Sequence, residues 1–99
     1  MSDIDLQLYK KVRNDDLNAF DILFAKYYPI LCRFACLILK DQNSAEEVVQ
    51  EFFIYFWENR KQLLVNEALK SYFYASVRNR SINFIRNQKT RKNYENTYS

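Results

Sequence analysis

LNAFDILFAKYYPILCRFACLIL, Leu17 to Leu39, repeats its apolar residues at three- and four-residue intervals: Leu17, Phe20, Leu23, Phe24, Tyr27, Leu31, Phe34, Ala35 and Ile38. That spacing draws one apolar stripe along a helix and predicts a core element. Pro29 interrupts the run. It lacks an N–H and crowds the preceding turn, which should kink the helix near Lys26 or end it there. Because the stripe keeps its phase past Pro29, a kink is expected rather than a stop.

On the N-terminal side, Asn14-Asp15-Asp16 closes an earlier helix, about Ile4 to Arg13, whose apolar positions are Leu6, Leu8, Tyr9 and Val12. The same trio supplies an N-cap for the long helix. On the C-terminal side, polar Lys40 to Asn43 leads into SAEEVVQEFFIYFWENR, Ser44 to Arg60. Ser44 and Glu47 read as a capping box, with Glu46 and Glu47 suited to the positive end of the helix dipole. Val49, Phe52 and Phe56 form an inward stripe, while Val48, Phe53, Tyr55 and Trp57 widen the apolar surface beyond one core face. Part of that surplus is expected to meet a partner. Lys61 to Glu67 reads as a connection, Asn66 as a cap, and about Glu67 to Gln88 as a last helix with Leu69, Tyr72 or Phe73, Val77, Phe84 and Ile85 inward. Thr90 to Ser99 reads as a frayed end or linker.

Ninety-nine residues, 48% of them apolar, make one small domain with a single core. With no glycine and one proline, a fold of tight β-turns has little to work with. The expected class is all-α: a compact four-helix domain. No run is expected to cross a bilayer, and Ser2 to Tyr9 lacks the features of a signal peptide, so the chain is expected in the cytoplasm. Cys32 and Cys36 share one helical face and read as small core residues. There is no histidine, so a zinc site would need two carboxylates, and a disulfide is not expected in that compartment. Without histidine for general-base work, glycine for a phosphate loop or an activating partner for either cysteine, the expectation is no enzyme, no cofactor and no metal.

Charge is unevenly spread. Met1 to Glu58 holds 10 acidic and 6 basic residues (−4), and Asn59 to Ser99 holds 2 acidic and 9 basic (+7), which together give the net +3. Such polarity implies two kinds of partner, the basic end meeting a polyanion. Within SYFYASVRNRSINFIRNQKTRK, Ser71 to Lys92, the residues Asn79, Asn83 and Arg86 share a helical face that Thr90 continues, and Arg78, Arg80, Lys89, Arg91 and Lys92 flank it. Asn can bond base edges, Arg can grip phosphate or guanine, and aromatics can stack on unpaired bases. Spacing alone leaves a solvated basic face open as well.

The order of these segments resembles a known family. A capped acidic helix with V-V-Q-E-F-F and W-E-N-R, a short connection, then S-Y-F-Y and V-R-N-R-S-I-N-F-I-R, is similar to region 2 of bacterial sigma factors. The nearest likeness is to the extracytoplasmic-function group of the sigma-70 family, and it covers about Asp5 to Lys92. The resemblance implies that residues 1–92 form a region 2 domain of a transcription initiation factor and that 93–99 begin a linker. Region 4, the reader of the −35 element, is absent from this chain, which is expected to be a fragment or isolated domain. It further implies that Glu47, Gln50, Glu51, Phe53 and Trp57 dock on the β′ coiled coil of core RNA polymerase. Tyr72, Arg78, Asn79, Arg80, Asn83 and Arg86 would meet promoter DNA. There the family recognises the −10 element and helps to melt it, a loop capturing a flipped base of the non-template strand. An anti-sigma factor commonly occludes these surfaces and is an implied partner. The contrasting reading is a helical interaction module whose basic helix binds an acidic protein.

Overall fold

The computed structural model describes the backbone of residues 2–65 and 68–98, with side chains described for 4–65 and 68–90. Asn66, expected to cap the last helix, lies outside the described residues. Four helices follow one another, α1 (Ser2–Arg13), α2 (Leu17–Leu39), α3 (Gln42–Glu58) and α4 (Leu69–Tyr98), and no strand occurs among the described residues. The all-α, four-helix expectation holds.

The acidic trio works as the sequence implies. Asp15 takes a left-handed conformation (φ 70°), which Asp tolerates better than most residues, and this turns the chain out of α1. Asp16 then caps α2 by accepting the Ala19 N–H at 3.1 Å. The helix runs on through Pro29 and closes at Lys40, another left-handed residue (φ 59°), whose N–H donates to Cys36 O at 2.8 Å. In a chain without glycine, a lysine has to take the place that glycine usually fills.

The start of α3 departs from the expectation. Asp41, not Ser44, is the cap: its carboxylate accepts from the Ser44 N–H at 2.8 Å and from the Ser44 hydroxyl at 2.6 Å, and the helix opens two residues earlier. Asp41 can satisfy the same N-terminal donors with a charged acceptor, so Ser44 becomes the third helical residue and no box with Glu47 is needed.

Two further readings are corrected by packing. Leu17 belongs to the stripe by spacing but lies in the first turn of α2 and is 58% exposed. By length and apolarity α2 could cross a membrane, contrary to expectation. Its Leu23, Tyr27, Leu31 and Ala35 are instead buried within the bundle, against α1, α3 and α4. α2 is the core helix of the bundle.

Around it, Phe52, Phe53 and Phe56 of α3 surround Phe73 of α4, with ring centroids 5.2, 5.7 and 5.2 Å away. Edge-to-face aromatic packing of this kind adds to the burial of each ring. α4 contributes Leu69, Phe73, Val77 and Ser81, so Phe73 rather than Tyr72 is the inward residue. The buried Ser81 hydroxyl donates to Val77 O at 2.8 Å and is satisfied within its own helix. Past Gln88, where the last helix was expected to end, the backbone stays helical to Tyr98. Residues 89–98 hold neither glycine nor proline to stop it, and the Lys, Arg and Glu among them are good helix formers.

Candidate functional site

The sequence-predicted site residues fall on two helices. On α3, Glu47, Gln50 and Glu51 are exposed on one face, and Gln50 Nε2 donates to the Tyr28 hydroxyl at 3.1 Å, which ties that face to α2. Phe53 does not belong to the face. It is 2% exposed and packs on Phe24, Phe52 and Phe73. Trp57 is half-buried, against Phe20 at 5.2 Å and beneath the Arg60 guanidinium, 3.9 Å from its ring centroid. What α3 does expose is Ile54, 57% accessible, which the sequence reading passed over. Ile54 and Leu17 rim a shallow groove between α2 and α3 of about 390 Å³, with Phe20, Phe24 and Phe53 as floor and Asp21 and Glu58 as acidic edges. An apolar floor with negative edges can receive an apolar side chain flanked by basic ones.

On α4, Asn79, Asn83 and Arg86 are exposed together, and the Thr90 hydroxyl donates to Arg86 O at 3.0 Å. The two arginines beside Asn79 differ. Arg78 is exposed, whereas Arg80 is half-buried with its guanidinium 4.8 Å from the Tyr55 ring of α3. Among the described residues no ion pair involves Arg78, Arg86 or Lys89, so their charge faces solvent unneutralised. Arg91 and Lys92 have side chains outside the described residues. Tyr72 is half-buried, 6.1 Å from both Phe52 and Phe73. Burial raises its pKa, with a hydrogen bond from Ser76 pulling the other way, so it stays a neutral phenol at physiological pH. Its ring packs against the core and stays partly accessible.

The segment between these helices is held from α1. Arg60 Nε and Nη2 lie 2.9 and 2.8 Å from Asp15 Oδ1, and Lys61 Nζ lies 3.2 Å from the same oxygen. Arg13 Nη2 donates to Lys61 O at 3.4 Å, Lys61 Nζ donates to Arg13 O at 3.3 Å, and the Tyr9 hydroxyl donates to Leu63 O at 2.9 Å. Nothing in residue spacing pointed to these contacts, which join positions 45 to 54 apart.

The cysteines sit half-buried and free in α2, and burial raises the Cys32 pKa although a hydrogen bond with Tyr28 opposes it. Cys32 is therefore a thiol, as inert as its core-side position suggests.

The arrangement is one of two exposed polar faces on a shared aromatic core, and the chain that builds it matches the Sigma-70 region 2 family across residues 23–91, from α2 into α4. The chain belongs to that family: it is a sigma factor domain, of the kind that binds RNA polymerase and recognises promoters. Searches of curated proteins and of solved structures returned no match.

Proposed function

We propose that this domain joins core RNA polymerase to the −10 promoter element, as a member of the extracytoplasmic-function group acting in the bacterial cytoplasm. Residues 1–92 are the working domain, and the residues after them begin a connecting segment that leaves as a continuation of α4. The observation that carries this reading is the division of exposed polar groups between two helices. Glu47, Gln50 and Glu51 stand out from α3, and Asn79, Asn83 and Arg86 from α4. An acidic face and a basic one on the same small core can hold a protein and a polyanion at the same time.

On the polymerase side, Glu47, Gln50, Glu51 and Ile54 meet the β′ coiled coil. Phe53 and Trp57 brace that face from beneath. On the DNA side, Asn79 and Asn83 offer amides to base edges, and Arg78 and Arg86 bind phosphate. Tyr72 offers its outer ring face to an unstacked base of the non-template strand. Flipping a base costs a few kcal/mol, which stacking and a positive surface can offset without any chemical step. An anti-sigma factor that covers either face would silence the domain.

The test uses the non-template strand of a −10 element and a scrambled strand at low salt. Asn79→Ala should reduce the preference between them, whereas Arg86→Ala should weaken both and flatten the salt dependence. Equal binding of both strands by the unaltered chain supports the other reading, a basic helix that meets an acidic protein. Separately, the double substitution Gln50→Ala with Glu51→Ala should lower affinity for core polymerase; unchanged affinity removes the docking assignment.

A further inference from the structure

We infer that the end of α1 and its turn act as a clamp on the segment that follows α3, and that Tyr9 and Asp15 are positioning residues for −10 discrimination. This rests on the promoter reading above, with the loop to which the family resemblance gives the flipped base taken as the connection between α3 and α4, which leads to Tyr72. The clamp itself is a matter of geometry.

Residues Arg60 to Leu63 leave α3 in tightening turns, with Gln62 and Leu63 N–H groups both bonded to Asn59 O at 3.0 Å. Leu63, Leu64 and Val65 carry no regular secondary structure. At that exit, α1 takes hold twice. One grip is polar and exposed: a single Asp15 carboxylate oxygen takes Arg60 and Lys61 together, and Arg13 and Lys61 exchange side-chain to carbonyl bonds. Isolated surface pairs contribute little, but here one carboxylate serves two cations and Arg60 is also fixed by its bond to Trp57 O at 2.7 Å. The left-handed backbone of Asp15 aims that carboxylate, and the loss of either cation leaves an unfavourable conformation with less to hold it.

The second grip is the firmer one. Tyr9 is buried, its ring stacks on Phe56 at 6.3 Å, and its hydroxyl reaches Leu63 O. A hydrogen bond presented by a buried, immobile ring is already oriented, so the carbonyl it binds is placed before any ligand arrives. Fixing the segment in advance removes part of the ordering cost of binding, and that saving is largest for the strand whose base fits the fixed geometry. Discrimination, more than affinity for any strand, is what the clamp should govern.

Tyr9→Phe removes the hydroxyl and keeps the ring. In the full chain it should reduce the ratio of cognate to scrambled strand affinity about 5-fold, the size of one net hydrogen bond, and leave scrambled-strand and core-polymerase binding unaltered. The amides of Leu64 and Val65 should exchange with solvent faster in the same variant, a readout that needs no DNA. Asp15→Asn and Arg60→Gln should each lower the ratio, and combining them should add little to either, as for two members of one contact. Val12→Ala serves as the control, since it opens the core at α1 and keeps the Tyr9, Asp15 and Arg60 side chains. An unchanged ratio or unchanged amide exchange in Tyr9→Phe overturns the clamp. So does an equal loss of ratio in Val12→Ala, which would make the effect one of stability. If the unaltered chain shows no preference between strands, the promoter reading fails and takes the discrimination role with it, whatever the amides report.

Discussion

α3 and α4 face each other across Phe73, yet they use their surfaces in opposite ways. α3 buries Ala45, Val48, Val49, Phe52, Phe53 and Phe56, a pattern of threes and fours that covers a broad face. α4 buries Leu69, Phe73, Val77 and Ser81, strictly four apart. Each such step overshoots a full helical turn by about 40°, so the stripe is narrow and winds around the helix until it leaves the core. The breadth of the buried face decides how much of a helix remains for partners. α3 keeps an outer strip with Glu47, Gln50, Glu51 and Ile54, and α4, which buries fewer residues over 69–90, leaves Arg78, Asn79, Asn83 and Arg86 open.

The sharpest way to break this comparison lies on α3, at two adjacent residues. Phe53→Ala should cost about 3–5 kcal/mol, because it opens a cavity among Phe24, Phe52 and Phe73. Ile54→Ala should change stability by no more than about 0.5 kcal/mol and, under the proposed docking, weaken binding to core polymerase. Urea unfolding of both variants decides the matter. Similar losses at the two positions would mean that the buried face of α3 is drawn in the wrong place.

Those two residues also show why part of the site was hidden in the sequence. The helices themselves were legible, since apolar spacing and the acidic cap at Asp16 act locally. The family was legible from the order of motifs, and the exposed α4 residues Asn79, Asn83 and Arg86 from their spacing. In α3, however, apolar residues occupy seven of the nine positions from Val48 to Phe56, with only Gln50 and Glu51 between them, a density that leaves more than one way to turn the helix inward. Phe53 then looks as available as Ile54, and only the position of Phe20 and Phe24 on α2 separates them. The Ser44–Glu47 spacing pointed to Ser44 as the cap and hid Asp41, although both are good caps and each begins a workable helix. The contacts from Tyr9, Arg13 and Asp15 to residues 60–63 depend on how α1 folds back, which no local pattern encodes.

A smaller effect tests the seat of α4's narrow stripe. Phe73 meets the Tyr27 ring edge-to-face at 5.0 Å, and the Tyr27 hydroxyl donates to Asp5, which also takes Lys26 Nζ at 2.7 Å. Asp5 is only 8% exposed. Asp5→Ala leaves the buried Tyr27 hydroxyl without its acceptor and should cost about 1–3 kcal/mol. Burial alone would raise the Asp5 pKa, but the hydrogen bonds from Lys26 and Tyr27 and the Lys26 charge outweigh it, so the net shift is downward. The folded state therefore holds the proton less tightly than the unfolded chain, whose Asp titrates near about 3.9. The stabilisation is fully present above that value and is lost as pH falls through the lower folded pKa. Asp5→Asn should flatten the acid limb of the stability profile, and an unchanged limb would show that the carboxylate contributes nothing through its charge.

The smallest expected effect separates the two arginines on either side of Asn79. Arg78 lies on the open circumference of α4, and Arg80 leans on Tyr55, where α3 and α4 come together. Both are cations, so net charge cannot tell them apart; reach can. Arg78 is free to meet a phosphate, and its replacement by Ala should weaken all strands alike and reduce the slope of log affinity against log salt by about 1. Arg80 must give up its aromatic contact to reach as far, at a cost of about 0.5–1 kcal/mol for such a pair. Arg80→Ala should accordingly lower stability by a similar small amount and change the salt slope by less than Arg78→Ala does. If Arg80→Ala changes the slope as much, the guanidinium leaves Tyr55 when DNA binds, and the boundary between the packed and open sides of α4 moves on binding.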